Sequence, residues 1–367
     1  MEWSFGNVME QWLYGELGYY HHAHIGKGGD FYTAVSASRF FGGAIARHIL
    51  TLLESSQLTL PLHIVEIGAH HGELLCDIYD FLDVLSEGVL PYTKCTIIEP
   101  LATLQTKARL NIASRTIMQA NSFDDVALGI DESVFVVSNE LFDAFACEIV
   151  CERGGHREML CGFTNGQNIV DSRESLRLEW QDFARAKNAR EIDGFMQHYG
   201  LTSGEIPLGW VEFVRGLCSF AKGAKCWRFL SFDYAPLGSR GLSLRGYGEH
   251  RIFDLAEIMR DAPKLFGRID LTYNVDFTLL RQIFIENGAR EIFCDRLNTL
   301  LVEFGITELL QSLLEINPRQ YEIEALRVRQ LLGGGLGEKF MGVCFGASKR
   351  NIFYFFSAER TTRRIIS

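Results

Sequence analysis

The sequence predicts an α/β fold with a doubly wound, mostly parallel sheet of seven strands. Short apolar segments alternate with amphipathic ones along most of the 367 residues, as strands and helices do in such sheets. Gly68 and Gly72 separate one apolar segment from the amphipathic segment after it, and Glu99 ends the next apolar segment. This pairing of a glycine turn with a strand-end acid is typical of Rossmann-like domains. We also expect an N-terminal helical segment and a mainly helical insertion.

The composition is that of a globular protein and argues against two classes of partner. Hydrophobic residues make up 47% and charged residues 22% of the chain. The formal net charge of −10 disfavours general nucleic-acid binding, which needs basic surfaces. No run of ~18 apolar residues is present, so we expect no membrane span. The nine cysteines include no C-x-x-C pair, and the first residues do not have a signal-peptide pattern, so we expect reduced thiols and a cytoplasmic location.

The central feature is the turn between a predicted strand, residues 62–67, and a predicted helix, residues 73–85. In open α/β sheets such a turn brings backbone N–H groups to the carboxyl end of the strand, where nucleotide-like ligands bind. The next strand, residues 94–99, ends in Glu99. A carboxylate at this position can accept hydrogen bonds from both hydroxyls of a ribose.

Dinucleotides and S-adenosylmethionine are the two cofactor classes that use this arrangement. A dinucleotide needs the G-x-G-x-x-G pattern, because its pyrophosphate approaches bare backbone. Here the bulky His70 lies between Gly68 and Gly72, and Glu66 would place a negative charge beside any pyrophosphate. A cationic cofactor without phosphate suits Glu66 better, so the sequence favours S-adenosylmethionine.

The other predicted elements continue the alternation on both sides of this turn. Before it we expect a helix over residues 8–17, a glycine-rich loop over 26–33 and a helix carrying Phe40, Phe41, Ile45, Ile49 and Leu53. After it we expect helices at 101–111, 210–221, 277–287, 307–314 and 320–332, strands at 116–123, 133–138, 226–234, 291–301 and 340–347, a hairpin of 147–151 and 159–163, a polar insertion at 176–204 and a loop at 237–251. The histidines His21, His22 and His24 have no acidic partner nearby in sequence, so we interpret them as surface residues rather than metal ligands.

These elements divide the chain into four parts. Residues 1–60 form a helical segment with a loop, and residues 61–150 form the cofactor-binding half of the core. Residues 151–222 form a hairpin and a helical insertion, and residues 223–367 complete the core with substrate-side loops and the last strands.

Polar residues at the ends of the third and fourth strands are further candidates for the site. Asn121 and Ser122 end the third strand, where an adenine amine would find an acceptor. The fourth strand leads into Asn139, Glu140 and Asp143. Two carboxylates there suit a guanidinium, because bidentate pairing orients the cation. The alternative is that Asn139 caps a helix and Asp143 is solvated.

Several sequence blocks, in a fixed order, resemble one family. They are Gly18-Tyr-Tyr20, Gly29-Asp-Phe-Tyr-Thr33, Glu66-Ile-Gly68 with Gly72, Ile98-Glu-Pro100, Ser138-Asn-Glu-Leu-Phe-Asp-Ala144, Phe232-Asp-Tyr234, Leu244-Arg-Gly-Tyr247 and Asp270-Leu-Thr with Val275-Asp-Phe277. These blocks are similar to those of the MidA-type class I methyltransferases, whose mitochondrial member modifies an arginine of a complex I subunit. The resemblance implies the class I methyltransferase fold, S-adenosylmethionine as cofactor and an arginine of a protein partner as acceptor.

The resemblance also implies where the site residues lie. Cofactor contacts are expected from Asp30 and Thr33 in a lid loop, and from Glu66, Gly68, Gly72, Glu99, Asn121, Ser122 and Asn139. Glu140 and Asp143 are the expected catalytic residues. On the substrate side we expect Asp233, Tyr234, Arg245, Tyr247 and Asp276, although packing explains Tyr234 equally well and a helix N-cap explains Asp276.

One departure from the family pattern leaves an alternative open. The family turn is usually Glu-Leu-Gly-Pro-Gly-Arg-Gly, and here Ala69 and His70 replace the proline and the middle glycine. The side chain of His70 is expected to crowd the methionine end of the cofactor. The alternative function is therefore a non-catalytic assembly factor that retains the fold. A homodimer is possible for either function.

Overall fold

Seven strands form the central sheet of the computed structural model, which describes residues 1–22, 33–235, 241–248 and 250–348. Numbered along the chain, they are β1 (Leu62–Ile67), β2 (Thr93–Ile98), β3 (Ile117–Ala120), β4 (Ser133–Asn139), β5 (Cys226–Tyr234), β6 (Arg290–Arg296) and β7 (Phe340–Ser348). Their order across the sheet is β6-β7-β5-β4-β1-β2-β3. Adjacent strands among β1 to β5 are parallel, and β7 is antiparallel to both of its neighbours. The predicted doubly wound, mostly parallel sheet is confirmed.

The strand order reverses between β1 and β4, and this point decides where a ligand can bind. After β1 the chain adds β2 and β3 on one side, and then crosses back to add β4 and β5 on the other. The connections that leave the carboxyl ends of β1 and β4 therefore diverge, which opens a crevice between them.

Helices cover both faces of the sheet. Successive strand residues point to opposite faces, so a fully buried strand presents apolar side chains on both of them. Ile64 packs into the core on one face and Val65 into the core on the other. In chain order the α-helices are Phe5–Tyr14, Tyr19–His22, Ala34–Ala37, Phe40–Glu54, Glu73–Leu85, Ala102–Ile112, Ala189–Tyr199, Gly209–Ala221, Leu255–Leu265, Phe277–Glu286, Leu297–Glu303, Ile306–Ile316 and Pro318–Leu332. Within the described ranges, none of these helices has the length and apolar character required to cross a bilayer.

Two smaller sheets extend the core. The first has five strands, Glu2–Ser4, Glu148–Arg153, His156–Phe163, Arg177–Asp182 and Gly204–Ile206. It contains the predicted hairpin, and the insertion predicted at 176–204 supplies one of its outer strands and a helix. The second sheet has three strands, Arg245–Gly248, Arg251–Phe253 and Asp270–Thr272.

The second small sheet corrects the prediction of a loop over residues 237–251. Gly246 and Gly248 lie in a strand and pack directly against Ile269, where a Cβ atom would clash. Glycine normally weakens a strand, but it also allows this close approach of a neighbouring segment. The glycine content that suggested a loop therefore reflects packing.

Other boundaries move for local reasons. The first helix starts at Phe5 rather than at residue 8, because the Ser4 hydroxyl accepts a hydrogen bond from the backbone N–H of Asn7 (3.2 Å). The strand predicted at 291–301 ends at Arg296, where a helix begins. Strand β3 ends at Ala120, because Ser122 caps a short 3-10 helix, Phe123–Asp125.

Candidate functional site

A cavity of about 610 Å³ lies at the carboxyl ends of the central strands, where the strand order reverses. This volume is in the range of small-molecule cofactor sites. Of the predicted site residues, those in its wall are Thr33, Glu66, Gly68, Glu99, Asn121, Ser122, Asn139, Glu140 and Asp143. Asp30, the other residue of the predicted lid loop, lies outside the described residues.

The turn after β1 is built from residues with left-handed backbone conformations. The φ angles are +65° at Gly68, +49° at His70 and +72° at Gly72. A Cβ atom on Gly68 would lie 3.3 Å from Cδ1 of Leu141, at the edge of the cavity. Gly72 is not among the residues that line the cavity, and its contact with the cofactor stays a prediction. Gly72 instead provides the conformation that starts the helix Glu73–Leu85.

Glu66, near the end of β1, connects the cavity to the helix that follows. Its Oε2 accepts a hydrogen bond from the backbone N–H of Leu75 (3.0 Å), one of the unpaired donors at the start of that helix. Burial raises the pKa of Glu66 to about 8, the Leu75 hydrogen bond partly offsets this effect, and the nearby Glu99 adds to it. A cation in the cavity would favour the ionised form of Glu66.

Glu99 follows β2 and is held in place by the backbone. The N–H groups of His70 and Leu101 donate to its two carboxylate oxygens, at 3.1 and 3.0 Å. Burial raises the pKa of Glu99 to about 7, and these two hydrogen bonds lower it. Because each carboxylate oxygen has a further lone pair, Glu99 can still accept hydrogen bonds from both hydroxyls of a ribose. This pair of acceptor oxygens fits the ribose of S-adenosylmethionine.

His70 forms part of the cavity wall without filling the cavity. Its ring centroid lies 3.8 Å from that of His71. Burial lowers the pKa of His70 to about 3, so the imidazole is neutral near pH 7. The cavity volume of about 610 Å³ is found with this side chain in place. Crowding of a bound cofactor by His70 stays a prediction.

The adenine end of the predicted cofactor site is mainly apolar. Phe123, Phe145 and Phe213 line it, together with Leu101 and Leu104. Such a wall suits the flat faces of a purine.

The side chains of Asn121 and Ser122 at this end already have partners. The Asn121 amide donates to Oδ2 of Asp125 (3.2 Å), and its oxygen accepts from Gln105 (2.7 Å). Ser122 pairs with Asp125 in the cap of the short 3-10 helix. These contacts hold the edge of the adenine region rather than leaving both side chains open for an adenine amine.

The loop after β4 places two further carboxyl groups, those of Glu140 and Asp143, in the cavity wall. Glu140 has a φ angle of +53°, and its backbone N–H donates to the carbonyl of Phe232 (2.8 Å). The Asn139 amide donates to Oε1 of Glu140 (2.8 Å). Burial raises the pKa of Glu140 to about 8, and the charge of Asp143 contributes in the same direction.

Asp143 and Asp233 have different roles in this loop. Oδ2 of Asp143 accepts a hydrogen bond from the Thr272 hydroxyl (2.8 Å), and burial raises the pKa of this carboxyl. Asp233 is fully buried beneath the loop and lies outside the cavity wall, contrary to its predicted substrate-side position. Its Oδ1 accepts hydrogen bonds from the backbone N–H groups of Leu141 and Phe142, both at 3.0 Å. Asp233 therefore supports the loop that carries Glu140 and Asp143.

The other predicted substrate-side residues also lie outside the cavity wall. The guanidinium of Arg245 lies 4.5 Å above the ring of Tyr234 and donates to the hydroxyl of Tyr247 (3.0 Å). These three residues form a packed cluster beside the acids, and Arg245 lowers the pKa of Asp143 through its charge. Asp276 is exposed, and its Oδ1 accepts hydrogen bonds from the backbone N–H groups of Thr278 and the residue after it. It is therefore a helix N-cap, as in the alternative to a substrate contact given above.

Three residues that the sequence reasoning did not assign to the site also line the cavity. Asp270 is a buried carboxyl on the strand Asp270–Thr272. The ring of Tyr20 stacks on that of Tyr14 at 5.3 Å, and the Tyr14 hydroxyl donates to the carbonyl of Ala144 (2.8 Å). Asp270 and Tyr20 both belong to sequence blocks that carry the family resemblance. Membership in these blocks is the sequence feature that could have identified them as site residues.

The charge of the cavity wall is one-sided. Its carboxyl groups belong to Glu10, Glu66, Glu73, Glu99, Glu140, Asp143 and Asp270. Among the described residues that line it there is no lysine or arginine. This arrangement suits cationic ligands, such as the sulfonium of S-adenosylmethionine.

Comparison with known proteins agrees with this chemistry. A family model described as "Putative S-adenosyl-L-methionine-dependent methyltransferase" matches residues 44–293, which is more than half of the chain. The chain is 23% identical over 342 residues to the protein arginine methyltransferase NDUFAF7, mitochondrial, of Rattus norvegicus, covering 81% of this chain and 72% of that protein.

Two solved structures from Burkholderia thailandensis share the fold. One, described as a "likely methyl transferase" bound to S-adenosyl-homocysteine, has a TM-score of 0.73 and 21% identity, covering 94% of this chain and 88% of the other. The second, a native structure, has a TM-score of 0.71 and 20% identity, covering 94% and 87%. Together with the match to the family model, the fold and the cavity lead to one conclusion: the chain belongs to the family of S-adenosyl-L-methionine-dependent methyltransferases.

Proposed function

We propose that this methyltransferase transfers the methyl group to an arginine side chain of a protein partner. The observation that carries the proposal is the carboxyl pair Glu140 and Asp143 in the cavity wall, after β4. A guanidinium presents parallel N–H donors that match carboxylates, and it keeps its charge at any physiological pH. The name of the rat relative, a protein arginine methyltransferase, supports the same acceptor.

The residues of this chain would have distinct tasks in the reaction. When bound, S-adenosylmethionine supplies a methyl group on a sulfonium, whose carbon–sulfur bond breaks with the electron pair remaining on sulfur while a carbon–nitrogen bond forms on the acceptor. On the cofactor side, Glu66 and Glu99 offer negative charge and ribose acceptors. On the acceptor side, Glu140 and Asp143 hold the guanidinium in line with the methyl group, which contributes through proximity and orientation.

Glu140 is also placed to take the proton that the acceptor nitrogen must lose. Its raised pKa, about 8, makes it a stronger base than an exposed glutamate when it is ionised. The Asn139 amide on Oε1 fixes the orientation of the carboxyl group. The proton passes from the guanidino nitrogen to a carboxylate oxygen of Glu140, and the product leaves as a methylated guanidinium.

The test is transfer of label from S-adenosylmethionine that carries a tritiated methyl group. The protein is incubated with an extract of cells that lack it, and labelled proteins are hydrolysed and separated as amino acids. A subunit of respiratory complex I, which the family resemblance implies as acceptor, is the first purified protein to try. We expect the label in methylarginine, and we expect Glu140→Gln to abolish it while an exposed acid, Asp171→Asn, leaves it unchanged. Label in methyllysine, or equal labelling by Glu140→Gln, would contradict the proposal.

A further inference from the structure

Among the described residues of the cavity wall, three buried side-chain oxygens have no hydrogen-bond partner. Within the part of the chain that the structure describes, Oδ1 of Asn139, Oδ1 of Asp143 and Oδ1 of Asp270 are each buried and unpaired. All three residues line the same cavity. Buried polar atoms are nearly always paired in native proteins. Three unpaired acceptors on one cavity therefore indicate a ligand that carries several N–H donors.

Asp270 is fixed beside Asp143 by the small three-stranded sheet. Asp270 and Thr272 are two residues apart on one strand, so their side chains point to the same face. The Thr272 hydroxyl donates to Oδ2 of Asp143 (2.8 Å), which ties that carboxyl to the face that Asp270 shares. The backbone next to it is also anchored, since the Trp12 indole donates to the carbonyl of Ile269 (2.9 Å) and the Tyr273 hydroxyl donates to that of Phe142 (3.0 Å).

In the described residues no lysine, arginine or histidine nitrogen lies within 4.0 Å of the carboxyl groups of Glu140, Asp143 and Asp270. The charge of Arg245 lowers the pKa of Asp143 and of Asp270 without forming an ion pair with either. Asp143 is 8% exposed and Asp270 is 4% exposed, so neither is well solvated. Burial raises the pKa of Asp270 well above its ordinary value, and the charge of Asp143 adds to this effect. A cation bound between them would relieve both the burial cost and the repulsion.

We propose that Asp270 is a third carboxylate that contacts the acceptor, and that it makes the site selective for a guanidinium over a primary ammonium. This inference rests on the proposed function and deepens it. A guanidinium has N–H donors on three nitrogens in one plane, whereas an ammonium has three donors on a single nitrogen. Carboxyl groups from two separate segments, the loop after β4 and the strand Asp270–Thr272, can be bridged by the wider cation.

The test uses calorimetric titration of the full-length protein saturated with S-adenosyl-homocysteine. The probes are ethylguanidinium and propylammonium, which carry the same charge on a similar apolar group. We expect the wild type to bind ethylguanidinium at least tenfold more tightly, as about one extra charge-assisted hydrogen bond implies. Asp270→Asn should weaken ethylguanidinium binding by roughly tenfold or more and leave S-adenosyl-homocysteine affinity unchanged. The exposed control Asp171→Asn should match the wild type.

The outcomes distinguish the proposed role of Asp270 from the proposed methylation of arginine. If the wild type prefers ethylguanidinium and Asp270→Asn binds it equally well, Asp270 is not a contact residue, and arginine methylation still stands. If the wild type binds propylammonium as well as ethylguanidinium, both proposals fail. A purely structural role for Asp270 predicts a lower melting temperature and weaker binding of every ligand. Should Asp270→Asn not fold, Asp270→Glu, which keeps the charge but moves the carboxylate by one methylene, takes its place. A reduced preference for ethylguanidinium in Asp270→Glu supports the contact, and an unchanged preference overturns it.

Discussion

The raised pKa of Glu140 leads to a prediction about stability that needs no substrate. The folded-state pKa, about 8, lies above the ordinary glutamate value of 4.5, so the folded protein holds this proton more tightly than the unfolded chain does. The stability that depends on the proton is therefore fully present below about pH 4.5 and is lost as the pH rises to about 8. Glu140→Gln cannot titrate and should not show this loss.

The size of the effect follows from the two pKa values. One pKa unit corresponds to about 1.4 kcal/mol, so the full difference is worth about 5 kcal/mol as an upper bound. Most of this free-energy change occurs between about pH 5.5 and pH 9. Over this interval the wild type should lose about 3 kcal/mol of unfolding free energy through Glu140 alone. The variant keeps an oxygen for the Asn139 amide, although its NH2 group cannot accept the hydrogen bond that Ala34 gives to the carboxyl. This fixed cost is the same at both pH values and cancels in the comparison.

The assay is urea unfolding of the ligand-free protein at about pH 5.5 and pH 9, in the wild type and in Glu140→Gln. An exposed glutamate outside the cavity, Glu174→Gln, is the matched control. We expect the stability difference between Glu140→Gln and the wild type to shift by about 3 kcal/mol in favour of the variant at the higher pH. If the two proteins lose stability in parallel, then Glu140 titrates like an exposed acid, and the argument for its role as a base fails.

Two further substitutions test the turn and the support of the acidic loop. Gly68→Ala puts a side chain at a φ angle of +65° and beside Leu141, so we expect it to lower the free energy of unfolding by about 1–2 kcal/mol in thermal unfolding. We also expect weaker S-adenosyl-homocysteine binding by calorimetry, and full affinity would show that the turn does not hold the cofactor. Asp233→Asn weakens the acceptor of two loop N–H groups, so we expect methyl-transfer turnover to fall while S-adenosyl-homocysteine affinity is kept. Equal losses of turnover and affinity would mean that Asp233 supports the whole core rather than the loop.

The sequence predicted the parts of the fold that depend on local signals. The bounds predicted for β1, β5 and the helix Glu73–Leu85 are those of the structure. Each has an uninterrupted pattern and a clear stop: Gly68 ends the first strand, and Gly72 starts the helix. Where the local signal was ambiguous, as at Gly246 in the small sheet, packing against a distant residue decided the structure.

Which of the acidic residues line the cavity and which support it from below could not be predicted in the same way. Asp143 and Asp233 both lie at strand ends in the sequence, yet one lines the cavity and the other lies beneath the loop. This difference depends on the pairing of β4 with β5, in which Asn139 is opposite Phe232, and on where the loop turns afterwards. Asp270 reaches the cavity from a strand far along the chain. Such placements result from tertiary contacts, so residue type and local spacing do not reveal them.

The structure also explains how a turn that commonly binds anions comes to suit cations. In many α/β proteins the backbone N–H groups at this turn and at the start of the following helix are free to bind phosphate. Here the N–H of His70 is used by Glu99, and the N–H of Leu75 is used by Glu66. The donors that a pyrophosphate would need are therefore occupied by carboxylates of the chain itself. A pyrophosphate would meet carboxyl groups here, with no lysine or arginine among the described lining residues to pair with it, which disfavours dinucleotide chemistry at this site.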